Sequence, residues 1–327
     1  MRMIRSLRAL LLGLLPIISI SATSSAQTAY PTSTIRMVVP FPAGGPTDTY
    51  ARLVANKLQE AWGQPVYIDN RPGATGMIGA TIVQRAKADG YTLLFTSNSA
   101  FVVGALTHSP PPYDPINDFT PISMLIRYPM YLLTNPEVPA KTIGEFIALA
   151  KSKPGQFNYS SVGAGSGTHL ACELFNMLAG TQMVHIPYQG AAPAQMAVMS
   201  NQVQLICDSV GFSQSLVNAG KLRGLALTGT KRSAAVPDIP TLDEIGLHGV
   251  DTYTWLGVFG PAGLPKAVQA KLNAELVRIM TMPDLHDRVV KEGSEVIADT
   301  PDELVSAIKA ENGVWLSVIK AKGIKVE

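Results

Sequence analysis

The 327-residue chain has little charge, few aromatic side chains and only two cysteines. Charged residues make up 15% of it and hydrophobic residues 46%, a balance that supports a packed core and excludes a disordered chain. The formal net charge of +2 provides no basic surface for a row of phosphates, so we expect no nucleic-acid partner. Two cysteines without a CxxC pair are too few for a disulfide scaffold or an all-thiolate zinc site.

The five histidines also fail to form a metal-ligand pattern, because no two of them have the paired spacing of a zinc motif. We therefore predict no metal centre. The glycine-rich segment GAGSGT at 163–168 lacks the third glycine of GxGxxG and the lysine of a P-loop. That argues against dinucleotides and nucleoside triphosphates, and we predict no cofactor. The segment is not GxSxG either. It is a ligand loop or a plain structural turn.

The N-terminus has the pattern of a secretory signal peptide. Arg2, Arg5 and Arg8 precede an apolar run at 9–20, and small residues end at Ala26. The run is too short for the roughly 20 residues that span a bilayer. We predict a cleaved signal at 1–26 and a periplasmic mature protein. Its formal charge is 26 − 3 = 23 basic minus 24 acidic residues, or −1.

Short apolar runs alternate with longer helical patterns, which predicts an α/β protein with mainly parallel sheets covered by helices. About 300 mature residues favour two domains. The predicted strands are 35–39, 66–69, 91–95, 157–161, 204–207 and 224–227. The predicted helices begin at Pro46 and cover 78–87, 168–178, 267–280 and 301–321, and the proline-rich segment 109–115 is predicted to be a surface loop.

Two strand–glycine loop–helix units stand out, one in each half of the chain. In the first, Gly45 is the expected cap of a helix that starts at Pro46, and Asp48 falls where a carboxylate bonds back to free amides. In the second, the loop at 162–167 precedes a helix. Free N–H groups at a helix N-terminus bind anions, and glycines allow close backbone approach. Two such loops facing each other would hold one anion from both sides.

Ordered motifs along the whole mature chain resemble the tripartite tricarboxylate transporter receptor family, also called Bug proteins. They are VPFPAGGPTD at 39–48, NRPGA at 70–74, ADGYTLL at 88–94, VHIPY at 184–188, GKLR at 220–223, KRS at 231–233, PDIPT at 237–241 and GPAG at 260–263. The resemblance implies a two-lobed, type II venus-flytrap periplasmic binding protein, each lobe a mainly parallel sheet flanked by helices. It implies a monomeric receptor, not an enzyme, that delivers a small carboxylate to the membrane subunits of a transporter.

The same resemblance implies that each lobe is discontinuous in sequence. Lobe one is expected at 27–127 plus 253–327 and lobe two at 128–252, with hinge crossings near 127–130 and 250–255. The C-terminal helices are expected to pack on lobe one. A ligand that touches both lobes would stabilise the closed form.

The candidate ligand-binding residues follow from the loops implied by the family and from the ends of the predicted strands. They are Phe41, Pro42, Ala43, Gly44, Gly45, Thr47, Asp48, Ser97, Asn98, Ser99, Val162, Gly163, Gly165, Ser166, Gly167, Thr168, His169 and Asp208. At least one residue of 97–99 is expected to contact ligand or water. Asp48 and His169 are either helix caps or ligand contacts, and Asp208 either meets the ligand or satisfies loop amides.

Three positions depart from the family pattern. Gln189 stands where a lysine is common, which weakens the case for a strongly anionic ligand. Cys172 and Cys207 are unusual in the family, and both fall in buried elements. Export permits a disulfide between them, but one falls in a predicted helix and the other in a predicted strand, so we predict two packed free thiols.

Two other functions compete with a transport receptor. One is an exported hydrolase that uses Ser166, His169 and Asp208 as nucleophile, base and acid. Its weakness is that Ser166 and His169 share one helix start. The other is a receptor that presents its closed form to a signalling sensor.

Overall fold

The computed structural model describes residues 30–108, 110–249 and 252–324. The predicted signal peptide lies outside these ranges, as do residue 109 of the predicted proline-rich loop and residues 250–251 of the second predicted crossing. The described residues from Pro31 onward form one compact unit. Within these ranges no helix combines the length and the apolarity that crossing a bilayer requires.

Strands and helices alternate along the described chain. The strands are β1 (Ile35–Val39), β2 (Val66–Asn70), β3 (Thr92–Ser97), β4 (Phe119–Thr134), β5 (Asn158–Ser161), β6 (Val184–Pro187), β7 (Leu205–Ser209), β8 (Arg223–Leu227), β9 (Tyr253–Pro261) and β10 (Glu295–Val296). The helices are α1 (Pro46–Trp62), α2 (Met77–Gln84), α3 (Gly104–Leu106), α4 (Ile143–Ser152), α5 (Gly167–Ala179), α6 (Ala191–Met199), α7 (Val210–Asn218), α8 (Lys266–Met280), α9 (Pro283–Lys291) and α10 (Pro301–Lys322). A π-helical turn at Ser99–Val103 precedes α3.

The strands form two sheets that share β4. In the first sheet the order is β2-β1-β3-β9-β4, with β10 on the far side of β4, and β1 is parallel to both β2 and β3. In the second, β5 is parallel to β6 and β7, while β4 runs antiparallel to β7 and β8. Strand β4 pairs with β9 as far as Pro129 and with β7 from Met130 onward. The expected α/β class is confirmed, but the sheets are mixed and not mainly parallel, because every pairing made by β4 and β9 is antiparallel.

The helices cover the two sheets and bury separate cores. One core contains the rings of Phe101, Phe119 and Phe259. The centroid of the Phe101 ring lies 4.8 Å from that of Phe119 and 4.4 Å from that of Phe259. Another contains Tyr159, Phe175 and side chains of α4 and α5. Helix α10 contributes to both, because its first turns bury Leu304 and Ile308 in the first core, and its last turns bury Trp315 and Val318 in the second. It therefore packs on both sheets, not on the first alone.

The prediction of two free thiols is wrong, because Cys172 and Cys207 form a disulfide. Cys172 lies in α5 and Cys207 in β7, and both side chains are fully buried. The sequence places the two residues in different elements, but α5 packs directly on β7 and brings their Cα atoms to 5.9 Å, within the range of a disulfide.

Candidate functional site

The first loop of the site connects β1 to α1. Helix α1 begins at Pro46 with Gly45 as its extended N-cap, as predicted, and Gly44 adopts a φ of +84°. That left-handed conformation is one that glycine adopts without strain. The loop exposes Pro42, Ala43 and Gly44 and buries Thr47 and Asp48. The start of the helix is therefore accessible at its glycines and anchored by the residues that follow.

Asp48 anchors this loop through hydrogen bonds to three partners. Its carboxylate accepts from the Gly44 amide at 2.8 Å, the Arg52 Nε at 2.9 Å and the Asn70 amide nitrogen at 2.9 Å. Asn70 also donates to the Phe41 carbonyl at 3.0 Å. Burial opposes ionisation, but these donors keep the pKa of Asp48 below its ordinary value. The carboxylate is thus engaged as the predicted cap.

The segment 97–99 lies at the end of β3, which pairs with β1, the strand before the first loop. The Ser97 and Ser99 hydroxyls bond to each other at 2.8 Å. Asn98, which is 2% exposed, points the other way: its amide nitrogen donates to the Tyr253 carbonyl at 2.9 Å and to Glu311 at 2.6 Å. The two serines remain ligand candidates, whereas Asn98 fastens the segment to β9 and α10.

The second loop connects β5 to α5, and its own side chains hold its backbone. Ser166 is the N-cap of α5: its hydroxyl accepts from the His169 amide at 3.3 Å and donates to the Gly163 carbonyl at 2.7 Å. The Thr168 hydroxyl accepts from the Val162 amide at 3.1 Å. The loop is therefore a built turn at a helix start, as the glycine pattern predicts.

His169 supports the second loop from beneath. Its Nδ1 accepts a hydrogen bond from the Gly165 amide at 3.0 Å, which requires that nitrogen to be unprotonated. The ring stacks on His185 with centroids 3.8 Å apart, and His185 bonds Ser161 at 2.6 Å. Burial lowers the pKa of His169, and burial together with His169 lowers the pKa of His185 to about 4. Both rings are therefore neutral at pH 7.

Glycines make close contacts between the loops of the two sheets. A Cβ placed on Gly167 would lie 2.5 Å from the Ser99 Cβ, so the start of α5 packs directly against the end of β3. A second contact between the sheets' loops joins Gly293 to Val210, where an added Cβ would lie 2.7 Å from the valine Cβ. Glycine is required at both positions by this close approach.

Asp208 is the next-to-last residue of β7, and its carboxylate is engaged by protein groups. It accepts from the Ser209 amide at 2.8 Å, the Ser213 hydroxyl at 2.7 Å and the Gln195 amide nitrogen at 2.6 Å. These contacts match the reading in which Asp208 satisfies the local amides and the start of α7.

Comparison with known proteins shows the family of the chain. Residues 50–324 match the model of the tripartite tricarboxylate transporter family receptor. The chain belongs to this receptor family. The protein BugT of Bordetella pertussis is 34% identical over 309 residues, which cover 94% of each chain.

Two solved structures with small carboxylates resemble the chain over most of its length. R. palustris Rpa4515 with adipate is 33% identical, with a TM-score of 0.84, covering 90% of this chain and 99% of that one. MatC (Rpa3494) from Rhodopseudomonas palustris with bound malate is 33% identical, with a TM-score of 0.80, covering 89% and 100%. The predicted family and the periplasmic binding protein fold are both confirmed.

The hydrolase alternative does not have the geometry it needs. The Ser166 hydroxyl donates to a backbone carbonyl, the Nδ1 of His169 accepts from Gly165, and Asp208 accepts from α6 and α7 side chains. A nucleophile must instead bond its base, and the base must bond its acid. Among the described residues, no three His, Cys, Asp or Glu side chains lie close enough to hold a metal ion.

Sequence analysis missed two residues that support the loops, Asn70 and His185. Both lie on strands that are parallel to the strands before the two loops. Asn70 of β2 pairs with Val39 of β1, and His185 of β6 pairs with Tyr159 of β5. Both also lie in the motifs NRPGA and VHIPY. The carboxyl ends of neighbouring parallel strands meet at one sheet edge, which is the signal that identifies them.

Proposed function

We propose that the protein is an extracytoplasmic solute receptor that captures a small carboxylate between two lobes and delivers it to a tripartite tricarboxylate-type transporter. The observation that carries the proposal is the contact of Gly167 with Ser99. This contact brings the N-terminus of α5, which packs on the second sheet, to the end of β3 in the first sheet. Strand β3 is the neighbour of β1, which leads into the loop before α1.

A carboxylate suits this position because each of the two loops leads into a helix start. The free N–H groups and the positive end of each helix favour an anion. Gly44 and Gly45 in one loop, and Gly165 and Gly167 in the other, permit close approach of the backbone. Adipate and malate in the two similar structures are carboxylates of the size that such a pair of loops can hold.

The lobe boundaries in this proposal are 27–127 plus 253–327 and 128–252. They are supported by the point at which β4 changes partner, between Pro129 and Met130, and by the return of the chain through β9 at Tyr253. Closure about these crossings would produce a closed form that is well populated only when ligand is bound. The transporter could then recognise the loaded receptor by this form.

Periplasmic location is supported by two independent features. The N-terminal pattern ending at Ala26 is that of a cleaved signal. The Cys172–Cys207 disulfide needs an oxidising compartment, and such bonds are rare in the cytosol. We propose a monomer in the periplasm, with a membrane transporter as its partner in preference to a sensor.

The first experiment is thermal unfolding of the chain from Gln27, purified through a denaturing step and tested with adipate, malate, citrate and benzoate. A ligand at 100 times its dissociation constant adds about 2.7 kcal/mol, a shift of several degrees. Stabilisation by a carboxylate but not by its amide supports the proposal. If no carboxylate in this set or in a wider one of mono-, di- and tricarboxylates shifts unfolding, the proposal fails.

Two glycine variants locate the ligand. Gly167→Ala places a methyl group against Ser99 and should abolish the ligand-induced shift. Gly144→Ala, in the first turn of α4, is the matched control, because an added Cβ there meets no atom of the described residues within 4 Å. Equal ligand responses in the two variants would place the ligand elsewhere.

A further inference from the structure

Glu311 of α10 has a partly buried carboxyl group that the proposed ligand contacts do not include. One of its oxygens accepts from the Asn98 amide nitrogen at 2.6 Å, and the other accepts from the Trp255 indole nitrogen at 2.9 Å. The Asn98 side-chain oxygen in turn accepts from the Trp255 backbone amide at 3.3 Å. Three elements, β3, β9 and α10, thus meet in one closed set of hydrogen bonds.

This cluster lies directly behind the point where the two loops converge. Asn98 stands between Ser97 and Ser99, and Ser99 is the residue that Gly167 of the second loop contacts. Trp255 is the last residue of the second predicted crossing. Glu311 is therefore joined through a single residue to the segment that faces the candidate site.

We propose that Glu311 is a positioning residue of the candidate ligand site, holding segment 97–99 against the start of α5 through Asn98. The inference rests on the proposed function, since it takes that segment as part of the ligand site. No contact of Glu311 with the ligand is involved. Its effect passes through Asn98, which bonds Glu311 directly.

The charge on Glu311 decides whether both of its bonds can form. Burial raises the pKa of Glu311 to about 7, against the opposing effect of Trp255, Asn98 and Trp315. Asn98 and Trp255 both present N–H donors to the Glu311 carboxylate. A proton on either oxygen would therefore face a donor, and one of the two hydrogen bonds would be lost. Lys322 of α10 forms an ion pair with Glu173 of α5. Lys322 lies eleven residues from Glu311 along the helix, about 16 Å by the helical rise.

Amide hydrogen exchange measured by mass spectrometry on the ligand-free protein tests the proposal. Glu311→Ala should speed exchange about tenfold in peptides covering 97–103 and 253–256, the change expected for losing a hydrogen bond to a charged group. Glu311→Gln keeps one acceptor and supplies one unwanted donor, so it resembles the protonated state. Its exchange in these peptides at pH 8 should match that of the wild type at pH 6.

The pH response separates positioning from packing. After correction for intrinsic exchange rates, wild-type exchange at 97–103 should rise as the pH falls from 8 to 6, and that of Glu311→Gln should not change. Lys309→Ala, an exposed residue on the same helix, is the control and should follow the wild type. Unchanged exchange at 97–103 in both Glu311 variants would overturn the proposal. Faster exchange throughout α10, with none at 97–103, would overturn it as well.

Binding measurements keep this inference distinct from the proposed function. With adipate as the probe, Glu311→Ala should weaken binding about tenfold at pH 8, with Glu311→Gln in between. If wild type binds no carboxylate but exchange changes as described, the receptor function fails and the link from Glu311 to segment 97–99 stands. If adipate binds equally to all three proteins, Glu311 does not position the site.

Discussion

At the scale of single residues, Asp48 joins the first turn of α1 to the preceding loop and to the end of β2. Asp48→Asn replaces one carboxylate oxygen by an N–H donor, which faces another donor in either orientation of the amide: Asn70 on one side, or Gly44 and Arg52 on the other. We expect a loss of about 1–3 kcal/mol in unfolding free energy at pH 7, together with weaker carboxylate binding, because the loop loses its anchor. Urea denaturation with and without adipate measures both effects.

Glu60→Gln, an exposed carboxylate on the same helix, is the control for Asp48→Asn. It should change stability by no more than about 0.5 kcal/mol. If the two variants were equally stable, Asp48 would be a solvated charge and the three hydrogen bonds would contribute nothing to the loop.

His185 makes stability depend on acid pH. Burial and the stacked His169 lower its pKa in the folded state to about 4, against about 6.5 in the unfolded chain. Between these values only the unfolded chain takes up the proton, so stability falls as the pH is lowered from 6.5 to 4. The contribution is at most about 1.4 kcal/mol per pH unit.

The comparison of variants isolates this effect from other groups. Glu311 and Asp299 have raised pKa values of about 7 and about 6, and they act in the opposite direction. We therefore expect the difference in unfolding free energy between wild type and His185→Gln to shrink from pH 7 to pH 4. His286→Gln, at an exposed histidine, should track the wild type at every pH. A constant difference for His185→Gln would contradict the assignment.

Residue-level prediction succeeded where a local rule applied. Gly45, Pro46 and Asp48 follow helix-start rules, and all three take the expected positions. The role of His169 stayed open because it depends on His185, which arrives from a different strand. A sequence states which groups need partners, but not which distant residue provides them.

At the scale of elements, strand β1 matches its prediction at both ends, and helices α1, α5, α8 and α10 begin within one residue of theirs. Strand β4 is absent from the predicted set. Pro121 and Pro129 interrupt its pattern, and Pro121 lies at a register shift against β9. Proline argues against a central strand, and here it is accommodated by a bulge and by the passage between sheets.

The disulfide connects α5, which follows the second loop, to β7, which contains Asp208. Replacing both Cys172 and Cys207 by alanine should lower the unfolding free energy by about 3–4 kcal/mol, from the entropy of a 35-residue loop. Denaturant titration measures this. Because both sulfurs are buried, reductant and alkylating agent should label them only after unfolding. Labelling of the native protein, or unchanged stability of the double variant, would contradict this account.

At the scale of the whole molecule, the two sheets share β4 and both pack against α10, and within the described residues two glycines bring their loops together. One contact is Gly167 with Ser99, and the other is Gly293 with Val210. The Ser233 hydroxyl adds a hydrogen bond to the Gly293 carbonyl at 3.3 Å. The alternation of strands and helices predicts the sheets. It does not predict these contacts, because each depends on how two separate layers approach.

Gly293→Ala tests whether approach of the two halves is needed for binding. Its new methyl group would lie 2.7 Å from the Val210 Cβ, which must move, so the closed form becomes less favourable. Gly263→Ala is a close control: φ is +79° at Gly293 and +82° at Gly263, but among the described residues a Cβ at 263 meets nothing within 4 Å. Backbone strain is therefore similar in the two variants, and only the steric contact differs. Isothermal titration with adipate should show about tenfold weaker binding for Gly293→Ala than for Gly263→Ala, whereas equal affinities would mean that ligand capture does not require this contact to close.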